Sequence, residues 1–79
     1  MQQIDVVAVF LKGKPPMPKR IRYNEQTVIV DKILDFKEIR YGKHSYIYRC
    51  QSRFEEYGYM REYELKYVID DCAWYLERK

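Results

Sequence analysis

The residue types that support nucleophilic chemistry are few in this chain of 79 residues, and their spacing does not suit it. The only histidine, His44, directly precedes Ser45, and two neighbours in a predicted turn do not form a nucleophile–base pair. Cys50 follows six residues after His44, which is about 20 Å along an extended strand. We therefore expect neither a serine nor a cysteine dyad, and we predict that the protein is not an enzyme.

Residues that could bind cofactors also lack the required grouping. The carboxylate pairs Glu55-Glu56 and Asp70-Asp71 fall in predicted turns, where solvated acidic residues are common. The three glycines lie far apart, so no phosphate-binding loop is indicated. Cys50 and Cys72 form no Cys-x-x-Cys pair, which argues against bound zinc or an iron–sulfur cluster. We expect no metal or other cofactor and two buried, inert thiols.

The distribution of charge points to binding. The formal net charge is +3, but segment 12–53 holds eleven basic and four acidic residues, whereas segment 55–77 holds seven acidic and two basic ones. A basic surface suits single-stranded nucleic acid or an acidic protein. Small curled sheets with basic loops and exposed aromatic residues often bind single strands by stacking and phosphate contacts. The alternative interpretation is that the two halves neutralise each other across neighbouring strands.

The candidate binding residues cluster in two predicted connections. Segment 12–20 holds all three prolines and one glycine, which predicts a loop or bulged connection with extended character, and the basic loop is taken to extend over 12–22. A second turn is expected at 40–44. The candidate nucleic-acid-binding residues are Lys12, Lys14, Lys19, Arg20, Arg22, Arg40, Tyr41 and Lys43. The tyrosines predicted to lie outside the core are Tyr41, Tyr57 and Tyr75.

Segment 4–11 suggests a second class of function. It is β-rich and almost continuously apolar, so Val7, Val9 and Leu11 would form a second apolar face of its strand. An exposed apolar edge strand favours pairing with another chain, most often as a homodimer. The alternative function is therefore a protein-interaction module that forms a homodimer through residues 4–11.

The elements that position these residues form an antiparallel meander when they are paired across the predicted turns. A two-residue turn at Asn24-Glu25 sets Ile21 opposite Val28. Later turns predict the pairs Leu34–Cys50, Phe36–Tyr48, Tyr46–Tyr67, Tyr48–Leu65, Cys50–Tyr63, Tyr67–Trp74, Leu65–Leu76 and Ile69–Cys72. Nearly all residues of one face are then apolar or aromatic, as a buried sheet face requires.

Charged residues occupy the other face of this sheet. Asp31 is expected opposite Arg53, and Asp35 opposite Arg49, so opposite charges meet across strands. Lys32 falls on the apolar face in this register, which predicts a β-bulge near Asp31-Lys32.

The predicted fold is one all-β domain over residues 1–79, a curled meander or small half-open barrel of five to six strands. The alternative is an α+β fold with a C-terminal helix over residues 60–76, whose apolar residues recur at helical spacing. Strands are favoured because that helix would place three aromatic residues on its polar side, namely Tyr63, Tyr67 and Trp74.

Location is predicted from two further patterns. The longest apolar run, 6–11, is far shorter than the roughly 20 residues that a membrane-spanning helix needs. The chain also opens without the pattern of a secretory signal. We expect a cytoplasmic protein without a membrane partner.

Two groups of short motifs lie along the chain. The first is Pro18-x-Arg20 followed by Tyr23, Val28-x-Val30 and Ile33-Leu34, and the second is Tyr63-Glu64-Leu65-x-Tyr67 followed by Trp74-x-Leu76. Together they resemble a small bacterial family of unknown function, over about residues 18–78. Similar segments appear as short free-standing proteins and near the tails of proteins resembling translesion DNA polymerases. The resemblance implies a small β fold, no established activity and no catalytic residues.

Overall fold

The chain forms six antiparallel strands, described for residues 2–56 and 58–78 by a computed structural model. The strands are β1 (Gln2–Val9), β2 (Met17–Tyr23), β3 (Gln26–Ile39), β4 (Ser45–Phe54), β5 (Met60–Val68) and β6 (Ala73–Arg78). They neighbour one another in chain order and close into a barrel through pairing of β1 with β6. The all-β prediction is therefore confirmed. The alternative helix over 60–76 is wrong, because this segment pairs as β5 and β6.

The barrel interior is filled largely by aromatic and aliphatic side chains that alternate along the strands. The buried cluster comprises Ile4, Ile21, Tyr23, Val28, Tyr48, Cys50, Tyr63, Leu65, Tyr67, Trp74 and Leu76. Trp74 contacts two aromatic members of this cluster, with its ring 4.8 Å from that of Tyr67 and 5.5 Å from that of Tyr48, measured between centroids. No described helix is long and apolar enough to cross a membrane.

The register confirms most of the predicted pairs and corrects two of them. The predicted bulge near Asp31-Lys32 is present as a register shift between Val30 and Lys32, and Lys32 is exposed. A second shift follows between Ile33 and Asp35, so Cys50 pairs with Ile33 and not with Leu34. Because of these shifts, Ile29 and not Asp31 lies directly opposite Arg53.

The charged face nevertheless forms as expected at two places. The carboxylate of Asp31 still reaches Arg53 diagonally, with 3.1 Å between Oδ1 and Nε. Asp35 lies opposite Arg49 as predicted. Opposite charges on neighbouring strands therefore meet despite the shifted register.

The first strand and the basic segment differ from prediction. The strand covers Gln2–Val9, not 4–11. It joins two neighbours, because Gln2–Ile4 pair with β6 and Asp5–Val9 pair with β2, so only the β6-facing side beyond Ile4 is left as a strand edge. Segment 12–22 is not a loop throughout, because Lys19, Arg20 and Arg22 lie on β2.

One half of the β1–β2 hairpin extends beyond its neighbours. The pairing of β1 with β6 is confined to Gln2–Ile4, and the pairing of β2 with β3 begins at Arg20. Residues 8–19, here called the arm, therefore pair only with each other. The arm contacts the end of the barrel, since the ring of Phe10 meets the edge of Tyr67 at 5.9 Å.

Candidate nucleic-acid interface

Three connections lie together at one end of the barrel, here called the arm end. In a barrel whose strands alternate in direction, every second connection falls at the same end, which groups the arm with loop 40–44 and turn 69–72. Contacts between the latter two confirm this, because the backbone N–H of Ile69 donates to the carbonyl of His44 at 3.1 Å. The topology thus brings both predicted basic connections to one end of the molecule.

A groove of about 470 Å³ separates the arm from the part of β3 that contains Ile33 and Phe36. This volume lies within the range of roughly 300–1,000 Å³ that is usual for ligand sites. The residues that line it are Val9, Leu11, Lys14, Pro15, Pro16, Met17 and Lys19 of the arm, and Ile33, Phe36 and Tyr48 of the barrel. No described acidic residue contributes to this lining.

The prolines of the arm explain why the groove stays open. Beyond Ile29, β3 continues for ten residues without a pairing strand on the β2 side. The arm passes this segment with Pro15, Pro16 and Pro18, and proline has no backbone N–H to donate to a neighbouring strand. A regular ladder therefore cannot continue between the two segments, and side chains instead of backbone face one another.

Phe36 forms the aromatic wall of the groove. Its ring stacks on Tyr46 at 5.5 Å with an interplanar angle of 27°, and it meets Tyr48 at 5.2 Å and 61°. These two contacts hold the ring in place, while Phe36 as a whole residue remains 41% exposed. The sequence pattern predicted that Phe36 lies in the core. Phe36 does lie beside Tyr48 on the inner face, but it is accessible because no described strand pairs with this part of β3 on the β2 side.

Tyr48 joins the groove to the arm. Its side chain is buried, and its hydroxyl donates a hydrogen bond to the backbone carbonyl of Pro16. Burial raises the pKa of Tyr48 well above its ordinary value, so the phenol stays protonated and remains a donor. Burial likewise raises the pKa of the Cys50 thiol to about 12, which agrees with an unreactive core cysteine.

The positive charges of the arm have no carboxylate partner among the described residues. Lys14 and Lys19 line the groove, and Lys12 lies exposed in the same arm. None of the three forms an ion pair within the described part of the chain. Their ammonium groups therefore remain available to an anionic ligand.

The other predicted binding residues are placed differently. Arg20 and Arg22 lie on the outer face of β2, where Arg22 approaches the hydroxyl of Thr27 at 3.5 Å. Arg40 and Lys43 lie in loop 40–44. The structure thus places two of the eight predicted residues, Lys14 and Lys19, in the lining of the groove. Lys12 lies in the same arm, and the other five lie outside the arm and the groove.

Carboxylates neutralise much of the charge in loop 40–44. The carboxylate of Glu38 accepts from His44 Nε2 at 2.5 Å and from Arg40 Nε at 3.0 Å. These two hydrogen bonds, the His44 contact first, lower the pKa of Glu38. Lys43 pairs with Asp71 at 3.1 Å, which raises the pKa of Lys43.

Tyrosines predicted outside the core can be placed in two of three cases. Tyr41 is 81% exposed in loop 40–44, and Tyr75 is half-buried on β6. Tyr57 lies outside the described residues. The described residues contain no group of three or more histidine, cysteine, aspartate or glutamate side chains that could hold a metal ion.

Fold and groove together define a small barrel of six consecutive antiparallel strands, with a basic and aromatic groove beneath a hairpin arm. Comparisons with known protein families, with characterised proteins and with solved structures gave no match.

Proposed function

We propose that the protein is a non-catalytic module that binds nucleic acid at the groove beneath the arm. The observation that carries this proposal is the lining of the groove, which combines the ring of Phe36 with Lys14 and Lys19 and includes no described acidic residue. Neither lysine forms an ion pair within the described part of the chain, whereas Arg40 and Lys43 of loop 40–44 each pair with a carboxylate. Cations that the fold does not neutralise surround the aromatic groove, and this combination suits a polyanion with flat apolar bases.

Two kinds of interaction would contribute to the binding free energy, namely electrostatic contacts to phosphates and apolar contacts to bases. The arm lysines Lys12, Lys14 and Lys19 contact phosphates and release counterions, so affinity falls as salt rises. The apolar lining, with Phe36 at its wall, contributes contacts that depend little on salt. Neither kind of interaction needs a nucleophile or a general base, in keeping with a binding function.

Fluorescence anisotropy with labelled oligonucleotides tests this proposal. Binding should be measured for the unchanged protein and for a Lys12→Ala, Lys14→Ala, Lys19→Ala variant at about 50 and about 200 mM salt. We expect weaker binding by the variant and a salt slope reduced by up to about one unit for each removed lysine that binds a phosphate.

A variant with the same net charge provides the control. Arg49→Ala, Arg61→Ala and Lys66→Ala remove three cations from β4 and β5, away from the groove. This variant should keep most of the affinity. Absence of binding at the lower salt concentration, or equal losses in both triple variants, would refute the proposal.

A homodimer is the second candidate function, and exposed apolar residues favour it. Val7 is 64% exposed, Phe10 62% and Leu11 58%, and β6 pairs with β1 no further than Ile4. The β6-facing edge beyond Ile4 could therefore pair with the same edge of a second copy. Sedimentation should then show a dimer that hardly responds to salt.

One substitution separates this candidate from simple apolar association. Val7→Lys should dissociate the dimer, because a charged side chain on an open strand edge opposes pairing. Met60→Lys is the matched control, since Met60 is 55% exposed on a different strand. A monomer at every accessible concentration would eliminate the homodimer.

A further inference from the structure

The exposed face of Phe36 is the best-formed ligand contact in the groove. Tyr46 stacks against the ring and Tyr48 meets it at an interplanar angle of 61°, while the ring also lines the groove together with residues of the arm. A ring fixed by two aromatic neighbours loses little freedom when a ligand stacks on it. A ligand that stacks on this ring therefore binds with a smaller entropic cost, because the ring is already ordered.

The opposite wall of the groove comes from the arm and is also apolar. Leu11, Pro16 and Met17 lie across from Phe36, and a thioether side chain adapts readily to a flat ring. Lys14 and Lys19 are the charged groups among the described lining residues, and both are cationic. A flat, uncharged ring that carries an anionic group at its edge matches this arrangement.

A nucleotide has this chemistry, because its base is flat and its phosphate is anionic. We propose that the groove accepts one unpaired base, stacked on Phe36, and that the ligand is therefore single-stranded. This inference rests on the nucleic-acid function proposed above. In a duplex the base is already stacked and paired, so it would have to be extruded before it reached the ring.

The decisive variant keeps the packing of Phe36 but removes its flat ring. Phe36→Leu retains an apolar side chain against Tyr46 and Tyr48, whereas Phe36→Tyr restores a stacking surface. For single-stranded DNA we expect binding roughly 5- to 150-fold weaker with Phe36→Leu, the range found for loss of one stacked base. Phe36→Tyr should bind single-stranded DNA about as tightly as the unchanged protein. The salt slope should not change in either variant.

A second readout reports the base itself. Single-stranded DNA with one 2-aminopurine per strand should show a change in fluorescence when the base stacks in the groove. The change should be absent in Phe36→Leu and present in Tyr59→Leu, a control at an exposed aromatic residue that directly precedes β5 and does not line the groove. Circular dichroism of each variant checks that the barrel is intact.

Failure of this inference differs from failure of the proposed function. Salt-dependent binding that is equal for single-stranded and duplex DNA of one sequence, and insensitive to Phe36→Leu, would overturn the single-base site and leave the nucleic-acid function standing. Absence of binding to either form at low salt would overturn both. Preference for the single strand together with loss of the 2-aminopurine signal in Phe36→Leu would support the site.

Discussion

The hydroxyl of Tyr48 on the barrel wall donates to the backbone carbonyl of Pro16 in the arm, across 32 positions of sequence. The two residues also line the groove, so this hydrogen bond fixes one side of it relative to the other. Phe10 and Tyr67 provide another contact between arm and barrel. The position of the arm therefore depends on a few named contacts and not on continuous strand pairing.

Removal of the Tyr48 hydroxyl should loosen the arm. In Tyr48→Phe the buried carbonyl of Pro16 loses its donor, and an unsatisfied buried acceptor costs about 1–3 kcal/mol. We expect a lower free energy of unfolding in urea and faster hydrogen exchange at the amides of residues 8–19. Tyr41→Phe removes a hydroxyl from an exposed ring and should change neither measurement. Identical unfolding midpoints for Tyr48→Phe and the unchanged protein would show that the hydrogen bond contributes nothing.

The local hairpins could be predicted because a short turn fixes the register on both sides of it. The turn at Asn24-Glu25 is present, with Ile21 opposite Val28. The turn at Asp70-Asp71 is closed by a hydrogen bond from the N–H of Cys72 to the carbonyl of Ile69, at 3.1 Å. In each case the side-chain period of two then assigns every residue to a face.

Irregularities were harder to predict. The bulge near Asp31-Lys32 could be predicted because it removed a lysine from the apolar face. The shift between Ile33 and Asp35 could not be, because either Ile33 or Leu34 makes an acceptable apolar neighbour for Cys50. A bulge leaves a trace in the sequence only when the unbulged register would bury a charge.

The candidate site was predicted in part. The sequence alone indicated Lys12, Lys14 and Lys19 as candidate binding residues, because a cluster of positive charges is visible without knowledge of the fold. Phe36 was assigned to the core because alternation along a strand gives the face but not the length of the neighbouring strand. The exposure of Phe36 follows from the end of β2–β3 pairing at Ile29, and hydrophobic periodicity carries no signal of that event.

The two thiols should react very differently with a thiol reagent. Both were predicted to point inward, and this is wrong for Cys72, which is exposed. Cys72 lies at the end of turn 69–72 with a backbone φ of 49°, and its Sγ approaches the carbonyl of Ile69 at 3.6 Å. At about pH 8 we expect one fast equivalent from Cys72 and a slow one from Cys50, whose pKa of about 12 disfavours the thiolate.

Single substitutions assign the two labelling phases. Cys72→Ser should abolish the fast phase, and Cys50→Ser should retain it. Urea should make Cys50 reactive, because unfolding removes its burial. Two fast thiols in the folded protein would contradict the closed barrel around Cys50. We also expect no intramolecular disulfide between buried Cys50 and exposed Cys72, which mass spectrometry under oxidising conditions checks.

The β2–β3 turn should gain stability from a glycine. Asn24 and Glu25 have φ values of 49° and 62°, as a type I′ turn requires. The left-handed conformation costs a non-glycine residue about 1–2 kcal/mol, and the greater freedom of glycine in the unfolded chain offsets about 0.5–1 kcal/mol of this. We expect Glu25→Gly to raise the free energy of unfolding by up to about 1 kcal/mol. Glu25→Ala controls for loss of the carboxylate, and an equal gain with alanine would contradict the backbone explanation.

The carboxylate of Glu38 should titrate below its ordinary value of 4.5, because His44 and then Arg40 donate hydrogen bonds to it. A pKa that folding lowers stabilises the protein above the unfolded value, and this contribution is lost as the pH falls through the folded value. Carbon-detected NMR of Glu38 should therefore give a low titration midpoint in the unchanged protein. In His44→Ala the midpoint should rise, and in Arg40→Ala it should rise by less.

The order of these two shifts tests the geometry of loop 40–44. The His44 contact is the shorter of the two, and both donors lie close to the same Glu38 oxygen, Oε2. Because Glu38 is exposed, solvent screens the interaction and the effect on the free energy of unfolding should be small. Lys66→Ala, which removes a cation from β5, should leave the Glu38 midpoint unchanged. If the titration midpoint of Glu38 is unchanged in both His44→Ala and Arg40→Ala, neither hydrogen bond persists in solution.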